Sequence, residues 1–322
     1  MRIVFIGASK IGLKCLEAIC QLPEVDVVGV VTSPEIFSIS YQPNGVQNVL
    51  HADFPAFCGR QGIPFLVMEG KMRDPTIEAQ IKAWSPQFIL VVGWYHMIPR
   101  SIREIAPTGG LHASLLPDYS GGAPLVWAII NGEKMTGITF FQMDDGVDSG
   151  PIIAQHVEPI LYEDTIGTLY GRIEAAAVQL LLDQLPKLSR GEAKLTHQDE
   201  TKRRCMPQRN PEDGLVDWSW GANRLYDFVR AQTAPYPGAF THFGGNKVIL
   251  WMVQRAASQC HEASPGKVLA FVKESPSGLL IATGDSHEAL LVQRVGTTTY
   301  QDEDAIDFAR RVNLRLGDKL GI

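Results

Sequence analysis

The first half of the chain alternates short apolar runs with stretches of helical periodicity. The apolar runs that predict strands are RIVFIG, VDVVGVVTS, IPFLV, FILVVG, GGLHASL and TGITFFQM. Between them, the spacing of apolar residues predicts helices over Lys10–Leu22, Pro75–Trp84 and Pro124–Ile130. Continuous apolar strands that alternate with helices are typical of a parallel sheet covered on both faces. We therefore predict a doubly wound, mostly parallel, Rossmann-like α/β domain.

The pattern changes after a long predicted helix over Thr165–Leu188. The segment SRGEAKLTHQDETKRR is polar, highly charged and without periodicity, which predicts a linker. A helix over Ala222–Ala231 then precedes short apolar runs separated by glycine turns, namely GAFTHF, KVILWMV, GKVLAFV, GLLIATG and ALLVQRV. These predict a smaller β-rich, OB-like domain. We assign residues 1–190 to the first domain, 191–206 to the linker and 207–322 to the second domain.

Composition limits the class of protein. With 45% hydrophobic and 20% charged residues, the chain has the balance of a globular protein. No apolar run approaches the roughly 20 residues that span a bilayer, and the first residues resemble a strand more than a signal peptide. The five cysteines lack a C-x-x-C pair, so we expect no disulfide framework, no metal site and a cytoplasmic location. They are Cys15, Cys20, Cys58, Cys205 and Cys260.

Three segments of the first domain carry candidate chemistry: GWYHMIP (Gly93–Pro99), His112 and MDDGVDSG (Met143–Gly150). In open α/β sheets, ligands bind beyond the carboxyl ends of the strands, where we expect these segments to converge. A carboxylate beside a histidine orients the imidazole for acid–base catalysis. A buried structural histidine and plain turn carboxylates are the alternative interpretation. The residues alone indicate a His/Asp site in a cleft and name no reaction.

A longer sequence pattern indicates a particular reaction. H-x-S-L-L-P-x-x-x-G-x-x-P, W-A-I-x-N-G-E, T-G-I-T and D-x-G-V-D-S-G-P-I-I follow one another between Gly93 and Ile153. Together they resemble the folate-dependent formyltransferase family, which includes methionyl-tRNA enzymes and amino-sugar N-formyltransferases. PEDGLVDW (Pro211–Trp218) and VRAQTAPYPGAFT (Val229–Thr241) resemble the C-terminal domain of the same family, and they resemble its amino-sugar N-formyltransferases more closely than its methionyl-tRNA enzymes. The resemblance implies transfer of a formyl group from 10-formyltetrahydrofolate to an amine.

The resemblance also implies a catalytic set: His112, Ser114 and Asp148. In the family an asparagine stands two residues before the histidine, whereas this chain has Gly110. His112 is then expected to stabilise the oxyanion and protonate the departing nitrogen, with Asp148 holding its ring. A backbone N–H, a water or Ser114 is expected to replace the missing amide. A slow enzyme and a non-catalytic folate-binding module remain alternatives.

Binding residues follow from the same resemblance. The folate pteridine is expected between two turns, held mainly by main-chain groups. Those turns contain Trp94, Tyr95, Met97 and Ile98 in one case, and Met143, Asp144, Asp145 and Gly146 in the other. Gly110, Gly121 and Gly122 are expected to allow close approach of the substrate. Arg209 and Arg230 are candidates for contacts to a diphosphate, with surface or interdomain ion pairs as the alternative.

Charge bears on the acceptor amine. No Lys or Arg occurs between Lys14 and Arg60, and beyond Cys205 there are 12 Lys and Arg against 13 Asp and Glu. Binding of tRNA depends on cationic contacts to phosphates, so methionyl-tRNA and nucleic acid in general are disfavoured. We expect a nucleotide-linked amino sugar, with a small amine such as an N-hydroxylated ornithine as an alternative. The sequence predicts no oligomeric state.

Overall fold

The computed structural model describes residues 1–39, 42–258 and 263–321. They form two compact units, neither of which is continuous in sequence. The first comprises Met1–Pro124, Met135–Pro159 and Gly171–Met206, and the second comprises Leu125–Lys134, Ile160–Tyr170 and Pro207–Ile322. The segment 191–206, which the sequence presents as a linker, groups with the first unit. This difference arises because its backbone pairs with the first unit, as described below.

Among the described residues up to Met206, the chain forms eleven strands and six α-helices. The strands are β1 (Arg2–Ile6), β2 (Asp26–Thr32), β3 (Ile36–Ile39), β4 (Gln42–Gln47), β5 (Phe65–Val67), β6 (Phe88–Val91), β7 (Thr108–His112), β8 (Ser120–Gly121), β9 (Met135–Gln142), β10 (Ile152–Pro159) and β11 (Cys205–Met206). The helices are α1 (Lys10–Ile19), α2 (Phe54–Gln61), α3 (Pro75–Trp84), α4 (Arg100–Arg103), α5 (Pro124–Ile130) and α6 (Ile166–Ser189).

Seven of these strands form one sheet in the order β10-β9-β7-β6-β1-β2-β5. The five from β7 to β5 pair in parallel, and β1 and β6 are almost wholly buried, as expected for a sheet covered on both faces. β9 and β10 are antiparallel. The predicted mostly parallel, Rossmann-like sheet is therefore confirmed, with an antiparallel edge that the apolar runs did not reveal.

The helix boundaries follow local rules. α1 buries Ile11, Cys15, Leu16 and Ile19, the apolar positions whose spacing predicted the helix. It ends at Ile19 rather than at the predicted Leu22, since a proline follows Leu22 and disfavours helical backbone before it. Helix α3 begins after an aspartate whose carboxylate caps the chain, with proline at the first turn, and its bounds match the prediction.

The second unit contains an antiparallel sheet, so the predicted β-rich domain is confirmed. Its elements are α7 (Ala222–Arg230), β12 (Ala239–Phe243), β13 (Asn246–Ala257), β14 (Val268–Val272), β15 (Gly278–Ala282), β16 (Glu288–Gly296), β17 (Glu303–Asp304) and α8 (Ala305–Arg311). The strand order in the sheet is β12-β13-β16-β15-β14, with β17 paired to β16. Helices α7 and α8 contribute the buried Leu225, Phe228, Ile306 and Phe308 to the core.

None of the helices in the described part of the chain is both long enough and apolar enough to cross a membrane. Cys15 and Cys58 are buried as free thiols and Cys205 is exposed. Burial raises the pKa of the Cys15 thiol to about 12. Cys260, which the sequence places among the scattered cysteines, lies outside the described residues.

Candidate active site

His112 ends β7, and its imidazole lies between two oxygen acceptors. Nδ1 is 3.5 Å from Asp148 Oδ2, and Nε2 is 2.7 Å from the carbonyl oxygen of Tyr119. A neutral imidazole has one N–H and can donate to only one of these oxygens, whereas the doubly protonated ring can donate to both. The His112 side chain is 10% exposed and the Asp148 side chain 22% exposed. The two predicted partners are thus adjacent and largely shielded from water.

Asp148 lies in the loop between β9 and β10 with a backbone φ of 51°, in the left-handed region. This conformation costs a non-glycine residue about 1–3 kcal/mol, so surrounding contacts must hold it. Gly121 N donates to Asp148 Oδ2 at 2.9 Å. Gln198 Nε2 donates to the carbonyl oxygens of Asp148 and Gly150, at 2.8 and 2.7 Å. The carboxylate and the backbone of Asp148 are both anchored.

The segment Met143–Gly150, which we call the acidic loop, reaches His112 by a route that differs from the predicted one. We expected the loop to leave the same edge of the sheet as His112, after a parallel strand. β9 is instead antiparallel to β7, with Gln142 opposite Gly109. The loop therefore begins beside the start of β7 and folds back along the strand to bring Asp148 to His112.

Ser114 is buried in the turn after β7. Its hydroxyl donates to the carbonyl oxygen of Asp118 at 2.7 Å, and its carbonyl accepts from the Thr139 hydroxyl at 2.7 Å. Both polar groups thus hold the turn. The predicted participation of Ser114 in the reaction has no support in this geometry.

Gly110 lies in the buried middle of β7, opposite Val91 of β6 and Phe141 of β9. A Cβ atom at Gly110 would overlap the Sδ-bound methyl group of Met143. Met143 thus occupies the space that a longer side chain at Gly110 would need. Among the described residues, the three atoms nearest to that position belong to Met143 and Val91.

The turn after β6 combines buried and exposed side chains. Ile98 is buried and Trp94 packs against the same apolar core. Tyr95 is partly exposed, and its hydroxyl donates to Asn48 Oδ1 at 3.0 Å. Met97 is 66% exposed and contributes nothing to the core. Of the four predicted folate residues in this turn, Tyr95 and Met97 are exposed, Trp94 is half-buried and Ile98 is buried.

Two buried nitrogens in this turn lack hydrogen-bond partners within the described part of the chain: Trp94 Nε1 and His96 Nε2. The two rings are neighbours, with centroids 5.3 Å apart. Burial lowers the pKa of His96, since the charged imidazolium is disfavoured away from water. Unpaired buried polar atoms require an explanation, and a polar ligand or ordered water at this turn would satisfy them.

The acidic loop is held by its own side chains. Asp144 Oδ1 accepts from Gly146 N at 3.0 Å and from the Ser149 hydroxyl at 2.6 Å, which closes a tight turn. Asp145 is exposed and forms an ion pair with Arg103, which holds the pKa of the Asp145 carboxyl below its usual value. Asp144 therefore shapes the loop, and Asp145 ties it to α4.

Arg103 joins the two turns between which the pteridine was predicted. Its guanidinium pairs with Asp145 of the acidic loop, and its Nε donates to the carbonyl oxygen of Ile98 at 3.2 Å. The side chain is largely buried. Arg103 thus sets the spacing between the Trp94–Ile98 turn and the acidic loop, a role that the sequence did not indicate.

Gly121 and Gly122 allow a protein strand, not only a ligand, to approach closely. β8 pairs with β11, where Met206 lies opposite Gly121, and Gly122 N donates to Met206 O at 2.9 Å. Gly121 has a φ of 92°, and a Cβ there would contact the Met206 carbonyl at 2.5 Å. The pairing with Met206 accounts for glycine at position 121, and the predicted substrate contacts of Gly121 and Gly122 stay predictions.

Arg230 is not a free cation. Its side chain is 7% exposed and forms an ion pair with Asp227 at 2.8 Å. It also donates to the carbonyl oxygens of Leu161 and Asp164, at 3.0 and 2.7 Å. These contacts lie inside the second unit and favour the ion-pair alternative, so the diphosphate contact of Arg230 stays a prediction.

Arg209 is likewise engaged. It donates to Gln232 Oε1 at 2.7 Å and to the carbonyl oxygen of Asp213 at 2.8 Å, and it stacks 4.7 Å from the Trp127 ring. Burial lowers the pKa of its guanidinium. The stacked and bonded guanidinium acts as a packing element, and the diphosphate contact of Arg209 stays a prediction.

Sequence reasoning missed Arg103, Gln198 and Arg203. Gln198 lies 50 residues from Asp148 in sequence, and no motif marks such a pair. Arg203 lies in the charged run that was interpreted as a linker. Among the described residues, no group of three or more His, Cys, Asp or Glu side chains forms a metal site.

Comparison with known proteins identifies the class of protein that this fold and site define. The formyl transferase model matches residues 1–185, and the model of the formyl transferase C-terminal domain matches residues 209–313. The chain therefore belongs to the formyl transferase family, and the predicted resemblance is confirmed.

Individual relatives differ in their acceptors. The methionyl-tRNA formyltransferase of Citrifermentans bemidjiense is 32% identical over 324 residues, which cover 100% of this chain and 96% of that protein. The chain shares its fold with an N-formyltransferase from Helicobacter canadensis in complex with folinic acid and dTDP-3-aminofucose (TM-score 0.61, 17% identity, 90% of this chain and 98% of that one). It shares it also with HypX from Aquifex aeolicus in complex with tetrahydrofolic acid (TM-score 0.62, 18% identity, 98% of this chain and 48% of that one).

Proposed function

We propose that this protein transfers a formyl group from 10-formyltetrahydrofolate to the amine of a nucleotide-linked amino sugar. The observation that carries the chemistry is the contact between His112 and Asp148, in a family of formyl transferases. Histidine is the side chain best suited to exchange a proton near neutral pH. The neighbouring carboxylate, 3.5 Å from Nδ1, orients the ring.

In this proposal the folate supplies the formyl group, and the chain orients the reactants and moves protons. His112 holds a proton beside the reacting carbon, where its charge balances the negative charge that develops on the formyl oxygen. Asp148 holds the His112 ring. The Gly121 amide and Gln198 keep Asp148 in place. Since Gly110 provides no amide and Ser114 is committed to its turn, a backbone N–H or a water remains as the second donor to the oxygen.

The chain offers groups that fit a folate. A pterin edge presents both donors and acceptors, which main-chain groups can satisfy. The Trp94–Ile98 turn carries the unpaired Trp94 Nε1 and His96 Nε2, and the acidic loop is tied to it by Arg103. Solved structures that share this fold contain tetrahydrofolic acid or folinic acid. We assign folate binding to these two turns.

For the acceptor, the absence of cations favours a small molecule. Residues 15–59 contain no Lys or Arg, and the net charge of the chain is −6. A tRNA acceptor would require several cationic contacts to its phosphates. The Helicobacter canadensis N-formyltransferase is in complex with dTDP-3-aminofucose, which supports an amino-sugar nucleotide. With Arg209 and Arg230 committed to protein partners, other groups must bind the diphosphate of such a substrate.

Methionyl-tRNA is the second candidate acceptor. It is favoured by the 32% identity over the full chain to the methionyl-tRNA formyltransferase of Citrifermentans bemidjiense. Salt dependence separates the two candidates, because the affinity for tRNA falls by roughly one power of salt concentration per phosphate contact. An amino-sugar nucleotide carries only two phosphates and is much less sensitive.

The test follows tetrahydrofolate release from 10-formyltetrahydrofolate with three acceptor classes: amino-sugar nucleotides, small amines and methionyl-tRNA. Initial rates are compared at about 50 and about 200 mM salt. We expect saturable release with an amino-sugar nucleotide and little change with salt. Saturable, salt-sensitive formylation of methionyl-tRNA would replace this acceptor with the second candidate. Folate binding without release in the presence of any acceptor would contradict the enzymatic assignment.

A further inference from the structure

The segment Thr196–Met206, which we call the strap, contacts both loops that carry the His112–Asp148 pair. At one end, Thr196 and Ile152 exchange two backbone hydrogen bonds of 2.8 Å, just beyond the acidic loop. At the other end, β11 pairs with β8 in the loop that follows His112. Both ends of the strap are therefore anchored to the first unit.

Between these anchors, Gln198 caps the backbone of the acidic loop. Its side-chain amide donates to the carbonyl oxygens of Asp148 and Gly150, at 2.8 and 2.7 Å. Its Oε1 is buried and meets no donor within the described residues. A buried oxygen without a partner is destabilising. Gln198 is therefore oriented by its two donated bonds, at the expense of its own acceptor.

Arg203 binds the same loop at Val147, the residue before Asp148. Its Nη1 donates to the carbonyl oxygen of Val147 at 2.9 Å. The guanidinium is itself held by two bonds to the Glu200 carboxylate, at 2.6 and 2.8 Å. Together, Gln198 and Arg203 bind the carbonyl oxygens of Val147, Asp148 and Gly150, which surround the left-handed residue Asp148.

The far end of the strap fixes the partners of the pair. Ser120 N donates to Arg204 O at 3.1 Å, and Gly122 N donates to Met206 O at 2.9 Å. Between these two bonds lies Gly121, whose N–H binds the Asp148 carboxylate. The strap thus holds both the Gly121 amide, which donates to the Asp148 carboxylate, and the backbone of Asp148.

We propose that Gln198 and Arg203 are positioning residues, which hold Asp148 in its left-handed conformation so that its carboxylate reaches both His112 and the Gly121 amide. This inference rests on the proposed function for its kinetic consequence, but its structural part stands without any substrate. Without the bonds to the carbonyl oxygens, the backbone of Asp148 relaxes toward a favoured region and the carboxylate leaves His112. A displacement of about 1 Å at a catalytic group can lower the rate about 100-fold.

The first test measures hydrogen exchange at the Gly121 amide and requires no substrate. Gln198→Met keeps the length of the side chain and removes its donors, and Asp148→Ala defines the exchange rate of the unbound amide. Gln208→Met makes the same chemical change at an exposed residue outside the strap. We expect the Gly121 amide to exchange at least 10-fold faster in Gln198→Met and in Asp148→Ala, and at the parent rate in Gln208→Met.

The second test uses a double-variant cycle on formyl transfer. We expect Gln198→Met to lower kcat about 10- to 100-fold with little change in the KM for either substrate. In the Asp148→Ala background the same substitution should have no further effect, because it acts through Asp148. Arg203→Met is the second strap variant and should lower kcat in the same way. Amide exchange in the buried strand β6 reports whether each variant is folded.

The outcomes distinguish the positioning role of Gln198 and Arg203 from the catalytic role of Asp148. Unchanged Gly121 exchange in folded Gln198→Met and Arg203→Met would overturn the positioning role, whatever the substrate proves to be. Additive kinetic effects of Gln198→Met and Asp148→Ala would overturn it as well. If the amide is deprotected as expected but Asp148→Ala retains full activity, the positioning role stands and the catalytic assignment of Asp148 fails.

Discussion

The methyl group of Met143 occupies the space beside Gly110 on the buried strand β7. The family resemblance leads one to expect an asparagine at this position, with its amide directed at the formyl oxygen. The glycine and the methionine are therefore one structural feature: the missing side chain is replaced by apolar volume from the acidic loop. An asparagine introduced at position 110 would therefore meet the Met143 side chain.

Gly110→Asn should destabilise the protein, because its side chain overlaps Met143. Overpacking of a buried site costs about 1–3 kcal/mol. Adding Met143→Ala removes the obstructing methyl group and should recover part of that stability. Urea denaturation of the single and double variants measures both effects. A Gly110→Asn variant as stable as the parent would show that the Met143 side chain gives way freely.

The activity of these variants tests how the missing amide is replaced. One donor to a developing oxyanion is worth about 3–4 kcal/mol. If no other donor serves the formyl oxygen, Gly110→Asn/Met143→Ala should have a kcat well above that of Met143→Ala alone. We expect no such gain, since a backbone N–H or a water already serves the oxygen in our proposal. A gain of 100-fold or more would contradict that proposal.

His112→Ala and Asp148→Ala should each lower kcat by about 100-fold or more, through loss of the proton donor or of the group that orients it. The double variant should be little worse than either single variant, because the two side chains contact each other at 3.5 Å and act as a unit. His287→Ala, at an exposed histidine of the second unit, is the matched control and should retain parent activity. Near-normal turnover of either single variant would remove that residue from the mechanism.

Arg103→Met should weaken folate binding more than it slows turnover, because Arg103 joins the two turns to which we assign the pteridine. We expect the KM for 10-formyltetrahydrofolate to rise about 10-fold, equivalent to about 1.4 kcal/mol of binding free energy, with kcat changed much less. Arg100→Met breaks an exposed ion pair with Glu104 and is the control. A fall in kcat with an unchanged KM would instead connect Arg103 to the positioning of Asp148.

The sequence predicted those parts of the fold and site that depend on local patterns. The apolar spacing of α1 located its buried face, and the motif around His112 located Asp148. The strap was not predictable, because Gln198 acts through carbonyl oxygens 50 residues away and its surroundings are polar and charged. The sequence also could not show whether the donors of a candidate arginine are already engaged by the protein. Those of Arg230 are, because they bind main-chain carbonyl oxygens such as that of Asp164.

His96 should make the stability of the protein depend on pH. Burial lowers the pKa of His96 below the usual value of about 6.5 for histidine. The unfolded chain therefore binds a proton more readily than the folded one, so stability is complete above about pH 6.5 and is lost as the pH falls below it. Between about pH 7.5 and about pH 5.5, the melting temperature of the parent should fall further than that of His96→Gln. Equal falls in the two proteins would show that His96 contributes nothing to acid destabilisation.

Arg230→Met should destabilise the second unit rather than change the affinity for the acceptor. Its guanidinium, 7% exposed, is the ion-pair partner of the buried Asp227 and binds the carbonyl oxygens of Leu161 and Asp164. Removing one partner of a buried pair typically costs about 3–5 kcal/mol, since it leaves the other charge unpaired. Replacing both, as in Arg230→Met/Asp227→Leu, should recover part of that loss, because no unpaired carboxylate remains. Urea denaturation and acceptor KM together decide the matter: a stable Arg230→Met protein with a strongly raised KM would restore Arg230 as a substrate ligand.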